Sequence, residues 1–368
     1  MRIPFLDLSR QTEVVLDDFL ARVQEIAEKN QFVGGAPVRE FERRFAAYCG
    51  VRHCVALNSG TDGLRLALLA AGVDPDDEVI TSPFTFIATT EVISQTGRLI
   101  LADIDSETFN LLVEAVESRI TGRSKVVLPV HIFGLPAPMG SMLELAERHD
   151  LIVIEDACQA HGAAIGEQKV GSFGQSASFS FYPSKNLGAF GDSGAVTSND
   201  ESVAERIRRL RNHGEVVGKY EHQEEGYNSR MDALQGAVLG LKLDFLEDWV
   251  RTRRQLAALY QDRLSDLGAV RFQKEPDNCR HSYYLVAARV ERRSELVDRL
   301  AKLGIGTKII YPTPIHLLPA YRHLNYRRGD FPNAEIVCEE VLCFPAYPGM
   351  TEGQVLEVAD AIEQFYVG

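Results

Sequence analysis

Ser172–Gly191, SFGQSASFSFYPSKNLGAFG, carries a single charged side chain, Lys185, in twenty residues. Lysines are ordinarily solvated, but this one stands among Phe179, Phe181, Tyr182, Pro183, Leu187 and Phe190. An amine partly withdrawn from water is a better nucleophile and can form a Schiff base with a carbonyl. The run Ala177–Phe181 reads as a strand, and Ser180 upon it can hold a phosphate within reach of the same pocket. Six more strand-like runs flank this one: Cys54–Leu57, Glu78–Thr81, Leu99–Leu101, Val126–Val130, Leu151–Ile154 and Ala195–Thr197. Helical stretches such as Leu64–Ala71 and Met142–His149 lie between them, and Val203–Leu210 reads as a helix after the last. That alternation predicts an α/β fold of βαβ units, with a largely parallel sheet buried on both faces.

From Met231 to about Leu264 the pattern turns helical, with Leu234, Val238, Leu241, Phe245 and Trp249 on one stripe. So long a helix is expected to link two domains. Beyond it, a strand at Ser282–Ala287, a helix at Ser294–Lys302 and a closing helix from Gln354 to Phe365 predict a smaller C-terminal α/β domain.

In open α/β sheets ligands gather where strands end and helices begin, because helix-initial N–H groups lack partners there. Asn58-Ser59-Gly60-Thr61-Asp62 occupies such a position after Leu57. Gly60 permits close backbone approach and Thr61 adds a hydroxyl, which suits a phosphate as well as an ordinary N-cap. Glu155-Asp156-Ala157-Cys158-Gln159-Ala160-His161-Gly162 follows the strand at Leu151–Ile154. An acid there can face a cleft and pair with a cationic ring nitrogen, or serve only as a cap. A ligand with a phosphate, a ring nitrogen and an aldehyde fits all three segments: pyridoxal 5′-phosphate.

Composition narrows the possibilities further. The 368 residues suffice for about two domains of ~150 each, and 45% hydrophobic with 25% charged residues is ordinary globular usage. Lys and Arg number 39 against 52 Asp and Glu, a formal charge of −13. That sign disfavours a protein that coats nucleic acid or an anionic membrane. Met1–Arg10 has no signal core, and no uncharged run approaches the ~20 apolar residues of a membrane span. A cytoplasmic chain is expected. Cysteines 49, 54, 158, 279, 338 and 343 form no C-x-x-C pair or His-linked set, so reduced thiols are expected and no metal site.

The chain resembles the nucleotide-sugar aminotransferases of the DegT/StrS family, in the aspartate aminotransferase superfamily. The segments that carry the resemblance run nearly end to end. They are Pro4–Leu8, Asn58–Thr61, Pro83–Thr89, Asp156–Gly162, Ser180–Gly191, Gly226–Asp232, Tyr311–His316 and Gly329–Pro332. The resemblance implies the fold type I architecture of pyridoxal-phosphate enzymes. A large cofactor-binding domain, residues 12–248, would hold a mostly parallel seven-stranded sheet flanked by helices. A small domain, residues 249–368, would follow, with segment 1–11 packed against it.

Residue by residue, the resemblance implies that Lys185 forms the Schiff base and Asp156 pairs with the ring nitrogen. Gln159 would bond the ring hydroxyl, Phe86 would stack on the ring, and Gly60, Thr61 and Ser180 would hold the phosphate. Asn228 matches a residue that reaches the phosphate from the neighbouring subunit, which implies a homodimer with shared sites. Tyr311 and His316 are candidates for substrate contact. His213 and Arg230 either join the site, organise the loop from Gly214 to Asn228 or meet the neighbouring subunit. The expected reaction moves an amino group from L-glutamate to a nucleotide-linked keto sugar, at carbon 3 of a dTDP-3-keto-6-deoxyhexose. Alternatives are carbon 4 of a dTDP- or UDP-4-keto sugar, a cyclitol ketone, or a non-catalytic regulatory protein on the same fold. A related dehydratase carries His in place of the lysine, and Lys185 argues against it. Three positions depart from the family pattern: Cys158 for Ala, Ser193 for Gly, and Ile310 where many relatives have His.

Overall fold

The computed structural model describes residues 1–216 and 220–368. Seven strands make the main sheet: β1 (His53–Leu57), β2 (Glu78–Thr81), β3 (Arg98–Leu101), β4 (Ser124–Leu128), β5 (Ile152–Asp156), β6 (Ser176–Ser180) and β7 (Gly194–Ser198). Their order across the sheet is β1-β7-β6-β5-β4-β2-β3. All run parallel except β7, which is antiparallel to both of its neighbours. The near-continuous Val, Ile and Leu of β2 and β4 follow from burial on both faces: Val79, Ile80, Val126, Val127 and Leu128 have no solvent exposure.

Helices Gly35–Cys49 and Ala233–Leu243 pack together over one part of the sheet, while Gly60–Ala70 lies against β6 and the helix Ile87–Thr96. A second, antiparallel sheet joins β8 (Val270–Phe272), β9 (Val286–Val290) and β10 (Val341–Phe344). Ile3 bridges Ile305, and its carbonyl accepts the Gly306 N–H at 2.8 Å, which ties the N-terminus to this C-terminal layer. Among the described residues no helix is long and apolar enough to cross a membrane.

Two expectations need correction. The helix foreseen over Met231–Leu264 is two helices, Ala233–Leu243 and Leu246–Leu264, broken at Asp244 and Phe245. The first packs on Gly35–Cys49 and the second on the closing helix Glu352–Val367, so one straight rod of about 51 Å could not serve both layers. At the break the Phe245 N–H bonds the Lys242 carbonyl, a tightened turn of 3.1 Å. The strand foreseen at Ser282–Ala287 lies instead at Val286–Val290. Ser282 donates its N–H to the Gly134 carbonyl, and the Tyr283 and Tyr284 carbonyls accept from the buried Arg253 guanidinium. With those groups engaged, the segment stays irregular and turns Tyr284 into the cleft described next.

Candidate active site

Register brings the chemistry together. Leu57 pairs with Gly194, Gly194 pairs with Ser180, and Ser178 pairs with Asp156. The carboxyl ends of β1, β5 and β6 therefore share one sheet edge, where ligands of open α/β sheets are found. A cleft of about 390 Å³ opens there, lined by Gly60, Thr61, Phe86, Asp156, Gln159, Ser180, Lys185 and Tyr311 among others.

Helix Gly60–Ala70 begins at that edge. Ser59 caps it by accepting the Asp62 N–H at 3.1 Å, while the first amides, those of Gly60 and Thr61, have no acceptor within the helix. A Cβ on Gly60 would lie 2.7 Å from the Ser180 Cβ and 2.8 Å from the Cys158 Sγ. Only glycine leaves this floor open.

Asp156 is 5% exposed. Its Oδ2 accepts from the Thr89 hydroxyl at 2.7 Å and its Oδ1 from the Cys158 N–H at 3.2 Å. Gln159 Oε1 accepts the Phe133 N–H at 2.9 Å, which fixes the amide so that Nε2 donates to the Tyr311 hydroxyl at 3.1 Å. Burial first, then the neighbouring Tyr284, pushes the Tyr311 phenol well above its ordinary range, so it stays protonated. The Phe86 ring is 54% exposed and tilted 31° to Tyr311, with centroids 6.2 Å apart.

Lys185 stands in the loop after β6, its Nζ 4.2 Å from the centre of the Tyr284 ring, a cation–π contact. The loop is held at several points. Asn186 Nδ2 donates to the Ser282 carbonyl at 2.8 Å, the Phe190 N–H to Gln235 Oε1 at 3.0 Å, and the buried Lys242 Nζ to the Gly188 carbonyl at 2.8 Å. Cys158 behaves as a neutral small side chain, because burial and then the Asp156 charge push its thiol well up.

The donor set fits pyridoxal 5′-phosphate. The Gly60 floor and its outward amides suit a phosphate, and the buried Ser193 Oγ on the same cleft wall has no hydrogen-bond partner among the described residues. A buried carboxylate, an amide with an N–H to spare, an exposed aromatic face and a single amine complete the complement.

Not every expected residue enters the cleft. Asn228 is exposed and lies outside its lining. His316 also lies outside that lining: it is 3% exposed, bonds Glu335 Oε1 through Nε2 at 2.9 Å and packs edge-on to Phe331. The preceding Ile315 N–H bonds the Pro83 carbonyl at 2.8 Å. His213 and Arg230 also stay outside and organise the loop, through the His213 N–H to the Tyr227 carbonyl and Arg230 Nη1 to Asn212 Oδ1 at 2.7 Å. Residues 217–219 of that loop lie outside the described residues. Sequence reasoning missed Tyr284, hidden in a segment read as strand, and Thr89, whose helical neighbours gave no sign of a long-range contact. Among the described residues no three His, Cys, Asp or Glu side chains group as a metal site.

The profile of the DegT/DnrJ/EryC1/StrS aminotransferase family matches residues 15–363. A dTDP-3-amino-3,4,6-trideoxy-alpha-D-glucose transaminase of Streptomyces venezuelae is 40% identical over 367 residues, 99% of this chain and 96% of that protein. A pleiotropic regulatory protein of Geobacillus stearothermophilus is also 40% identical, over 100% of this chain and 99% of its own. Among solved structures, S. venezuelae DesV in complex with a ketimine intermediate superposes with a TM-score of 0.96 at 40% identity, covering 99% of this chain and 98% of DesV. NtdA of Bacillus subtilis with bound cofactor PMP gives 0.90 at 29% identity, over 97% and 85% of the two chains.

Proposed function

The chain belongs to the DegT/DnrJ/EryC1/StrS aminotransferase family and is a sugar aminotransferase, and on that premise we propose that it moves an amino group from L-glutamate to carbon 3 of a dTDP-linked 3-keto-6-deoxyhexose, with pyridoxal 5′-phosphate as cofactor. The convergence of Lys185, Asp156, Gln159, Ser180 and the Gly60 amides on one cleft carries this reading. The S. venezuelae transaminase, alike over 99% of this chain, supports carbon 3 and dTDP. A regulatory name attaches to one relative, but a chain that only regulates has no use for this complete set.

When bound, pyridoxal 5′-phosphate supplies an aldehyde that takes up the amino group and an electron-poor ring that accommodates charge as a proton departs. The Gly60 and Thr61 amides hold the phosphate at the positive end of their helix, with the Thr61 and Ser180 hydroxyls. Asp156 keeps the ring nitrogen protonated. Gln159 spends one N–H on Tyr311 and keeps the other for the ring hydroxyl. Phe86 would cover the ring face, with Ile310 on the wall of the same cleft. Lys185 would hold the aldehyde, and its Nζ is the amine of the cleft that would take the α-proton of the amino donor as general base. The Tyr284 ring keeps that ammonium within the cleft. Asn228 completes the phosphate site of a neighbouring subunit.

The test is a panel of dTDP- and UDP-linked 3-keto and 4-keto sugars, with glutamate as donor and 2-oxoglutarate release as readout. Turnover is expected with the dTDP-3-keto sugar. Turnover with a 4-keto or UDP-linked sugar alone would overturn the assignment of carbon or nucleotide.

A further inference from the structure

Thr89 lies in the first turn of helix Ile87–Thr96, whose N-cap is Phe86. A threonine within a helix ordinarily bonds a carbonyl three or four residues back. Two others of this helix do so: Thr90 Oγ1 bonds the Ile87 carbonyl at 3.0 Å and Thr96 Oγ1 the Val92 carbonyl at 2.9 Å. Thr89 does not. Its hydroxyl crosses to Asp156 Oδ2 at 2.7 Å, a residue 67 positions away, and contacts the Thr85 hydroxyl at 2.8 Å. All three side chains are at most 5% exposed. The Thr89 hydroxyl donates its one hydrogen to Asp156 Oδ2, so its oxygen is left to accept from the Thr85 hydroxyl. The direction of the relay is thereby fixed.

A buried carboxylate with one donor can rotate about its Cβ–Cγ bond. With Cys158 N–H on Oδ1 and Thr89 on Oδ2, the Asp156 plane is held from two separate elements. The same helical turn presents Phe86, because the Thr89 N–H bonds the Phe86 carbonyl at 3.1 Å. We propose that Thr89, oriented by Thr85, is a positioning residue that sets the rotation of the Asp156 carboxylate toward the ring nitrogen and locks it to the turn bearing Phe86. This rests on the reading of Asp156 as the partner of that nitrogen.

The test is a double-mutant cycle on Thr89→Val and Asp156→Asn, with Thr89→Ser as the conservative variant. Two quantities are measured on each protein: the affinity of the stripped chain for pyridoxal 5′-phosphate, by equilibrium dialysis, and turnover of the loaded enzyme. Hydrogen bonds to charged groups set the scale of the expected loss. Thr89→Val should weaken binding and slow turnover roughly tenfold or more, with KM for glutamate little changed, and Thr89→Ser should restore both to within about threefold. In the Asp156→Asn background, Thr89→Val should cost almost nothing further, since a residue acting through another loses its effect with its target. Full additivity in the double variant, or a wild-type Thr89→Val beside an impaired Asp156→Asn, would overturn the proposal alone. A wild-type Asp156→Asn would overturn the reading of Asp156 beneath it. Should Thr89→Val fail to fold, Thr89→Ala carries the same expectations.

Discussion

Adjacent residues at a strand end do opposite things because successive side chains point to opposite faces. Asp156 faces the cleft, whereas Glu155, wholly buried, accepts from the N–H groups of Gly171, Phe173 and Gly174 at 2.8–2.9 Å and from His131 Nε2 at 3.0 Å. It pins the turn that feeds β6. Buried histidines show a related economy. His281 accepts the Tyr283 N–H at Nδ1 (3.0 Å) and bonds Gln273 Oε1 through Nε2 (3.1 Å), so its neutral form satisfies both nitrogens. Burial first, and then the Arg254 charge, pulls its pKa down to about 3. The unfolded chain takes up this proton below the ordinary value near 6.5 while the folded chain refuses it, so stability is present above pH 6.5 and drains away as pH falls toward 3. At pH 5 the loss from this one group is about 2 kcal/mol. His281→Asn keeps an acceptor for Tyr283 and lacks the titration. Urea denaturation should find the wild type losing about 2 kcal/mol more than the variant between pH 7 and pH 5, and equal losses would show that His281 is free to charge. At this scale the site was largely legible: an isolated lysine and an acid after an apolar strand announce themselves by type and place. Tyr284 and Thr89 do not, since only tertiary contact distinguishes them from other tyrosines and helical threonines.

Among the elements, the helix start at Gly60 turns backbone geometry into a binding surface. Gly60→Ala would drive a methyl against Ser180 and Cys158, and both are anchored: Ser180 sits on β6 and Cys158 is held by Asp156. Loss of at least tenfold in affinity for pyridoxal 5′-phosphate is expected, with the helix still formed. A Cβ on Gly140, in the first turn of helix Met139–Arg148, would meet nothing within 4 Å beyond its own helix among the described residues. The same substitution there should be neutral or stabilise by up to about 1 kcal/mol, so one exchange gives opposite outcomes at two helix starts. Equilibrium dialysis and thermal unfolding of both variants check this; unimpaired binding by Gly60→Ala would mean that the floor yields. Strand positions were readable because apolar runs end sharply at turn residues, as Glu78–Thr81 shows. The helix break at Asp244–Phe245 was not, because Val238, Leu241, Phe245 and Trp249 continue one stripe across it while their packing partners change.

In the whole molecule the largest consequence concerns a residue outside its own cleft. Asn228 is exposed, its backbone pairs with Asn212, and its carbonyl meets Asn58 Nδ2 at 3.5 Å, one residue from the Ser59 cap. Apolar surface is exposed nearby in the chain and around the cleft: Tyr227 is 37% exposed, and Phe86 and Tyr182, both on the cleft wall, are each 54% exposed. Aromatic side chains left wet at the mouth of the cleft suit burial against a second copy of this chain. If Asn228 reaches the phosphate of the neighbouring subunit, each active site draws on two chains. A cofactor touching both must then stabilise the dimer over the monomer, by the same free energy with which dimerisation tightens its binding. Removing pyridoxal 5′-phosphate should therefore shift sedimentation toward the monomer at low protein concentration. Lys185→Ala and an Asn228 variant severe enough to silence its own homodimer provide the sharper check. In a mixed dimer one site carries both lesions and the other carries neither, so two inactive proteins should regain up to about half the activity per heterodimer once their subunits exchange. Activity that stays absent in heterodimers confirmed by differential tagging, or full activity from a demonstrated monomer, would place Asn228 outside the chemistry and each site within a single chain.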